Sequence, residues 1–317
     1  MWNAQTYFII STISYPFISL YNAGAALFRS MGNSKISMHN SIMMNILLNI
    51  FGNVLLIYIF KLGVLGAGLA TLFSRMVGAI LVLLRLRNPK LAIYVQDYKA
   101  FKFNFPLIKT ILQIGIPNGL ENGMFQIGKI LVIGVVSSFG TTAIAANAVA
   151  NNIAGMEVIP GAAIGLAMIT VVGVCVGAND YKQAEHYIKY LMKLTYIFMF
   201  VVNIFIIIFD KQILSLYNLS TETMQMAHHL IILHGIFTIL IWSLAFTLPN
   251  AFRAANDAKF TMTVFILSMW IFRISACFIL AYHFNMKLYG VWFTMFLDWT
   301  FRAIYFVYRY FSEQWKK

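Results

Sequence analysis

Of the 317 residues, 61% are apolar and only 10% charged, with 28 Phe, 17 Met, 16 Tyr and 6 Trp. A soluble domain carries roughly a quarter charged residues, so this chain lacks the charge to coat a water-facing surface and a soluble globular fold is excluded. The formal net charge of +13 lies mostly in short loops between apolar runs, which makes it a topology signal and a lipid-headgroup partner, not a nucleic-acid footprint.

Apolar runs of about 20 residues or more span a bilayer core of roughly 30 Å. Nine are predicted, at 7–29, 40–60, 64–84, 107–138, 142–176, 187–209, 226–252, 260–284 and 288–311. Backbone amides in hydrocarbon need internal partners, so runs this long are helices, and barrel strands would be about half the length. The first run has no basic cluster before it and no small-residue cleavage site after it, so it is not a signal peptide. The second carries Asn45, Asn49 and Asn53 at four-residue steps, and the third carries Arg75. The stretch 87–106 is basic and aromatic, contains Pro89 and Pro106, and reads as a connector.

The fourth run is the most informative. On a helical wheel Asn118, Glu121, Asn122, Gln126 and Lys129 fall within an arc of about 140°. Such a stripe faces protein or water, never lipid. Pro117 removes a backbone hydrogen bond one turn before Glu121 and permits a bend. Two readings stand: Glu121 as a proton or cation site lining a cavity, or the stripe as a structural seam between helices. Glu121 and Lys129 are two turns apart, too far for direct pairing but within reach of a bridge through Gln126.

The fifth run stacks Asn147 and Asn151, with Glu157 beside Pro160 as a further candidate for the cavity. Gly161/Gly165 and Gly173/Gly177 are spaced for close helix packing. A short outside loop around 210–225 carries Asp210, Lys211 and Glu222. His228, His229 and His234 open the seventh run, with a spacing that matches no zinc set, so no metal site is expected. Arg273 lies in the eighth. In the ninth, Asp298 and Arg302 stand at i, i+4 with the acid first, the favourable order for an ion pair that Arg273 would complete. Cys175 and Cys277 lie in or near spans and read as packing residues. With no P-loop, no paired loop carboxylates and no loop large enough for a catalytic site, the chain does not read as an enzyme.

Sliding the chain by 224 residues aligns 28–85 with 252–309, with 13 identities over 58 gapless positions, among them Arg29/Arg253, Lys35/Lys259, Gly66/Gly290 and Arg85/Arg309. Six predicted spans separate equivalent helices, so both copies point the same way: a parallel, pseudo-twofold repeat of six helices. The expected fold class is therefore an all-α integral membrane protein of about nine transmembrane helices. Its divisions are 1–86 (second half of an N-terminal lobe), 87–106 (interlobe linker) and 107–317 (C-terminal lobe of six helices). Symmetry asks for three further helices before Met1. Assigning loops alternately, seventeen Lys and Arg fall on one side and only Lys61, Lys211 and Lys287 on the other, which puts the C-terminus in the cytoplasm of a multi-pass plasma-membrane protein.

The segments 115–129 (GIPNGLENGMFQIGK), 165–184 (GLAMITVVGVCVGANDYKQA) and Phe-Arg-x-x-x-Asp-x-Lys at 252–259 resemble the multidrug and toxic compound extrusion (MATE) family, over essentially the whole chain. The resemblance implies a cation-coupled antiporter in which Na+ or H+ entry drives export of bulky organic compounds by alternating access. No cofactor is implied beyond the coupling ion, and no partner beyond small-molecule organic substrates and the lipid bilayer. The chain departs from the family pattern at Phe125, where members carry an acid, at Val174 in place of a glutamine, and in the seventh run, where only His234 titrates. Two rivals are a lipid-linked oligosaccharide flippase of related fold, which would carry more basic residues in its cavity, and a non-transporting membrane fragment or scaffold.

Overall fold

The computed structural model describes residues 2–95 and 103–316. Every regular element among them is helical: α1 (Trp2–Ser30), α2 (Ser34–Ile59), α3 (Gly63–Leu86), α4 (Phe105–Ser137), α5 (Thr141–Glu157), α6 (Ile159–Gly177), α7 (Tyr181–Ser215), α8 (Thr221–Ala254), α9 (Ala258–His283) and α10 (Lys287–Phe311), with a short turn at Gln314–Lys316. By length and composition, seven described helices qualify to cross a membrane: α2, α3, α4, α6, α7, α8 and α9. α1 and α10 are long enough, at 29 and 25 residues, but fall outside that set. The run expected at 142–176 is two helices, broken at Val158 (φ −93°, ψ −5°). Pro160 sits in the first turn of α6, where its missing N–H costs nothing but continuation from α5 would.

The chain divides into two compact units, Met1–Phe103 and Asn104–Lys317. In the first, α1 packs along α3, and Tyr21, Ala25, Phe28, Met44, Ala79, Val82 and Leu86 form its core. Several of its polar groups pair with one another, as hydrocarbon favours, while Asn40 is buried without a side-chain partner among the described residues. Arg75 Nη1 donates to Ser14 Oγ at 2.6 Å, Asn53 Nδ2 to Asn49 Oδ1 at 2.7 Å, and Asn49 Nδ2 to Ser74 Oγ at 3.4 Å. The expected linker begins as a turn, with Val95 N–H donating to Leu86 O. Residues 96–102 of it lie outside the described residues. It ends earlier than expected, because Asn104 caps α4, accepting from Leu107 N–H, and Pro106 already belongs to that helix.

The second unit has two apolar clusters. One joins α4, α5, α7, α8, α9 and α10 around Ile153, Met199, Trp242, Trp292 and Trp299. The other gathers Met168, Ile188, Phe252, Phe265, Phe306 and Trp315. Gly161 and Gly165 let α6 lie against α8: a Cβ at either would stand 2.3 Å from Trp242 and 2.5 Å from Asn250. Gly173 and Gly177 meet no such contact. Both cysteines are buried and free. Large apolar side chains such as Phe8, Tyr58, Phe205 and Ile208 stay more than half exposed, a waste in water but the rule against lipid. At the C-terminal end, Lys316 Nζ donates to Glu313 at 2.7 Å and to Glu185 at 3.3 Å. The bond to Glu313 is the largest influence and raises the ammonium pKa over an opposing desolvation.

Local backbone geometry recurs at the 224-residue offset. α2 and α9 both contain wide i→i+5 turns, at Met43–Ile50 and Val54–Ile59 and at Met269–Ser275 and Ile279–His283. Phe60 N–H bonds to Leu55 O and Phe284 N–H to Ile279 O. Leu62 bonds to Leu56, and Met286 to Leu280. The turns that follow use left-handed backbone at Lys61 and Asn285, both at φ +53°, and at Gly63 and Lys287.

Candidate functional site

α4 passes Pro117 without a break and presents Glu121 to the interior of the second unit, where it is 7% exposed. Arg253, at the end of α8, reaches it, and Nη2 donates to Glu121 Oε1. Arg253 Nη1 donates to Asn250 Oδ1 at 2.7 Å, and the guanidinium stands 5.4 Å from the Phe265 ring centre. Asn250 is anchored in turn, its Nδ2 donating to Phe246 O at 3.1 Å. Pro249 lies just after the wide turns of Thr238–Thr247 in α8, so α8 is remodelled beside its proline and Asn250 and Arg253 follow on the next turn.

These groups line a cavity of about 390 Å³ together with Asn118, Asn122, Phe125 and Ile169. Asn122 Nδ2 donates to Asn118 O at 2.8 Å. Glu121 Oε2 is buried without a hydrogen-bond partner among the described residues. One carboxylate oxygen is thus committed to Arg253, while the other is left to accept a proton, a cation or a donor on a ligand. Phe265 is shared with a second pair. The Arg302 guanidinium lies 4.0 Å from the centre of that ring, its Nε donating to Asp298 Oδ1 at 2.9 Å and to Ser268 Oγ at 2.8 Å. Nη2 stands 2.8 Å from Asp298 Oδ2.

Three expectations meet a different arrangement here. Glu121 is not bridged to Lys129 through Gln126: an arginine on a neighbouring helix binds one of its oxygens, Gln126 is exposed, and Lys129 lies 5.9 Å over the Phe125 ring. Glu157 lines neither the Glu121 cavity nor the one beside Asn147, and its Oε1 has no hydrogen-bond partner among the described residues. It is fully buried, its Oε2 bonded to His234 Nδ1, and its backbone carbonyl accepts from Asn203 Nδ2 at 3.2 Å. Trp292 and Trp299 stand edge-on to that imidazole at 5.6 and 5.3 Å. A buried carboxylate needs a partner, and His234, the innermost histidine of the seventh run, provides it for one oxygen. Arg273 does not complete the Asp298–Arg302 pair by contact; it feels the Asp298 charge but forms no ion pair among the described residues.

Asn147 and Asn151 belong to a separate cavity with Lys129 and Arg273. Of the other two histidines in that cluster, His228 pairs with the buried Asp210, and His229 meets the Tyr289 hydroxyl at 3.2 Å. Among the described residues no group of three His, Cys, Asp or Glu side chains is placed to hold a metal. Sequence reasoning missed Arg253 and Asn250 as cavity residues. Arg253 counted as a loop charge, although its position at the end of an apolar run, four residues after Pro249, marked it as an inward-facing group.

The profile of the MatE family matches residues 117–279, just over half of the chain. Over 307 residues the chain is 26% identical to the probable multidrug resistance protein YoeA of Bacillus subtilis, covering 95% of this chain and 66% of that one. It is 24% identical over 304 residues to the probable multidrug resistance protein NorM of Thermotoga maritima, covering 92% and 63%. The chain thus spans about two thirds of the length of the curated relatives it matches. Among solved structures, the outward-facing conformation of a multidrug resistance MATE family transporter of the MOP superfamily superposes with a TM-score of 0.89 at 21% identity, covering 98% of this chain and 70% of that one. An inward-facing structure so described gives 0.72 at 20% identity, covering 96% and 70%. With the profile match running from Pro117 in α4 to Ile279 in α9, through the helices that build the cavity, the chain is a multi-pass membrane protein that belongs to the MatE family.

Proposed function

We propose that the protein exports organic, drug-like compounds across the plasma membrane by alternating access, driven by entry of Na+ or H+. The observation that carries this reading is the buried Glu121–Arg253 pair in a polar cavity among membrane helices, with one carboxylate oxygen uncommitted. Ionisable groups at such depth are costly and mark ion or substrate paths. A proton or Na+ arriving at Glu121 weakens its hold on Arg253, and a cationic compound competes for the same carboxylate. Ion and substrate then exclude one another, which is the requirement for exchange. Phe125, Phe246 and Phe265 provide aromatic faces for the apolar body of a substrate. The relatives described as multidrug resistance proteins support the same substrate class.

The test is dye retention in a host lacking its own pumps. Expression of the chain lowers retained ethidium, and Glu121→Gln, which keeps the shape but removes the charge, returns retention to the empty-host level at equal membrane abundance. Equal retention with the chain, the variant and the empty vector would exclude efflux.

A further inference from the structure

α4, α5, α9 and α10 enclose a second cavity, of about 320 Å³, that does not include Glu121. Its polar lining is Lys129, Ser137, Asn147, Asn151 and Arg273, with the Trp292 indole, and no Asp or Glu side chain takes part. Lys129 forms no ion pair among the described residues; its partner is the Phe125 ring. Arg273 Nε is buried without an acceptor. The acid whose charge reaches Arg273 most strongly is Asp298, yet both Asp298 oxygens are held by Arg302. Among the described residues, two cations therefore border one cavity within a membrane bundle and neither is bonded to a carboxylate, an arrangement that low-dielectric surroundings disfavour.

The amides point the same way. Trp292 Nε1 is a donor only, and it donates to Asn147 Oδ1 at 3.0 Å, as does Asn151 Nδ2 at the same distance. That fixes the Asn147 oxygen toward Trp292 and leaves its NH2 as a further donor at the cavity. Val132, Val136, Val291 and Met295 supply an apolar wall. Cations and an amide donor in the same cavity as an aliphatic wall are complementary to a ligand with an anionic head and an apolar body.

We propose that this cavity binds an anionic amphiphile, a carboxylate, sulfate or phosphate head on an apolar body, with Lys129 and Arg273 holding the head. The head belongs either to a soluble organic anion or to an acidic phospholipid.

The experiment measures equilibrium binding of radiolabelled decanoate to the purified chain in nanodiscs of phosphatidylcholine, against decyltrimethylammonium as competitor with the same tail and opposite head. Saturable decanoate binding that decyltrimethylammonium does not displace is expected. Lys129→Gln and Arg273→Gln each weaken it about tenfold or more, and Arg273→Lys stays within about threefold of the parent. Adding phosphatidylglycerol to the discs separates the sources: loss of decanoate binding assigns the site to a lipid head, and undiminished binding assigns it to a soluble anion. The proposal is overturned if decanoate does not bind in phosphatidylcholine discs, if the cation displaces it equally well, or if Lys129→Gln leaves binding unchanged. Lys129 is exposed, so that variant carries the test if Arg273→Gln does not accumulate.

Discussion

Asp298 and Arg302 show what a buried ion pair demands of its surroundings. Arg302 is fully buried, and it is tolerated because Asp298, Ser268 and the rings of Phe246 and Phe265 receive the guanidinium from several sides. Removing one partner leaves a charge with nowhere to go, whereas replacing both with apolar groups does not. Asp298→Leu is therefore expected to destabilise the protein by about 3–5 kcal/mol, and the double change to Leu at 298 and 302 to cost less than either single change. Thermal unfolding in detergent of the three variants checks the order. The same logic applies to Glu157 and His234. His234→Leu leaves a fully buried carboxylate without its partner, and the fraction of folded protein at neutral pH is expected to fall well below that of Glu157→Gln, which carries no charge to strand. A chromatographic monodispersity assay reads this directly, and equal behaviour of the two variants would show that Glu157 is protonated in the folded protein.

At the scale of elements, the wide turns and left-handed links repeated in α2–α3 and α9–α10 place a glycine at the same point of each pair. A Cβ on Gly66 would lie 3.0 Å from the Leu56 backbone, and one on Gly290 would lie 2.9 Å from the Leu280 backbone. Backbone cannot swing aside as a side chain does, so Gly66→Ala and Gly290→Ala are each expected to destabilise by about 1–3 kcal/mol. Gly134 in α4 meets nothing within 4 Å, and Gly134→Ala is expected to be neutral or to stabilise by up to about 1 kcal/mol through helix propensity. Melting temperatures of the three variants separate packing from propensity. The glycine periodicity alone did not distinguish these cases: Gly161 and Gly165 lie too close to α8 for a side chain, while Gly173 and Gly177, with the same spacing, have room for one.

For the whole molecule, charge placement along the chain predicts orientation. Of the seventeen basic residues assigned to one side, Arg253 and Arg302 are committed to carboxylates inside the helical bundle, which leaves fifteen against three and the same prediction. Single cysteines at Ser34 and Asn256, in a background with Cys175 and Cys277 replaced, are expected to react with a membrane-impermeant maleimide from the same, cytoplasmic side. Labelling from opposite sides would remove the parallel repeat and the orientation together.

Sequence alone determined what depends on composition along one dimension. The membrane class, the helical runs, the polar stripe of α4, the Asp298–Arg302 pair and the repeated pattern are all local, because hydropathy, i, i+4 spacing and chain offset need no partner to be read. The split at Val158 was legible in Pro160, but length hid it, since two short helices and one long one share the same apolar run. Tertiary structure decided which charges meet. Glu121 selects Arg253, 132 residues away in sequence, and Glu157 selects His234, 77 residues away. A buried charge takes whichever opposite or hydrogen-bonding group the packing of neighbouring helices brings within about 3 Å, and that choice is made across helices, where linear spacing carries no distance.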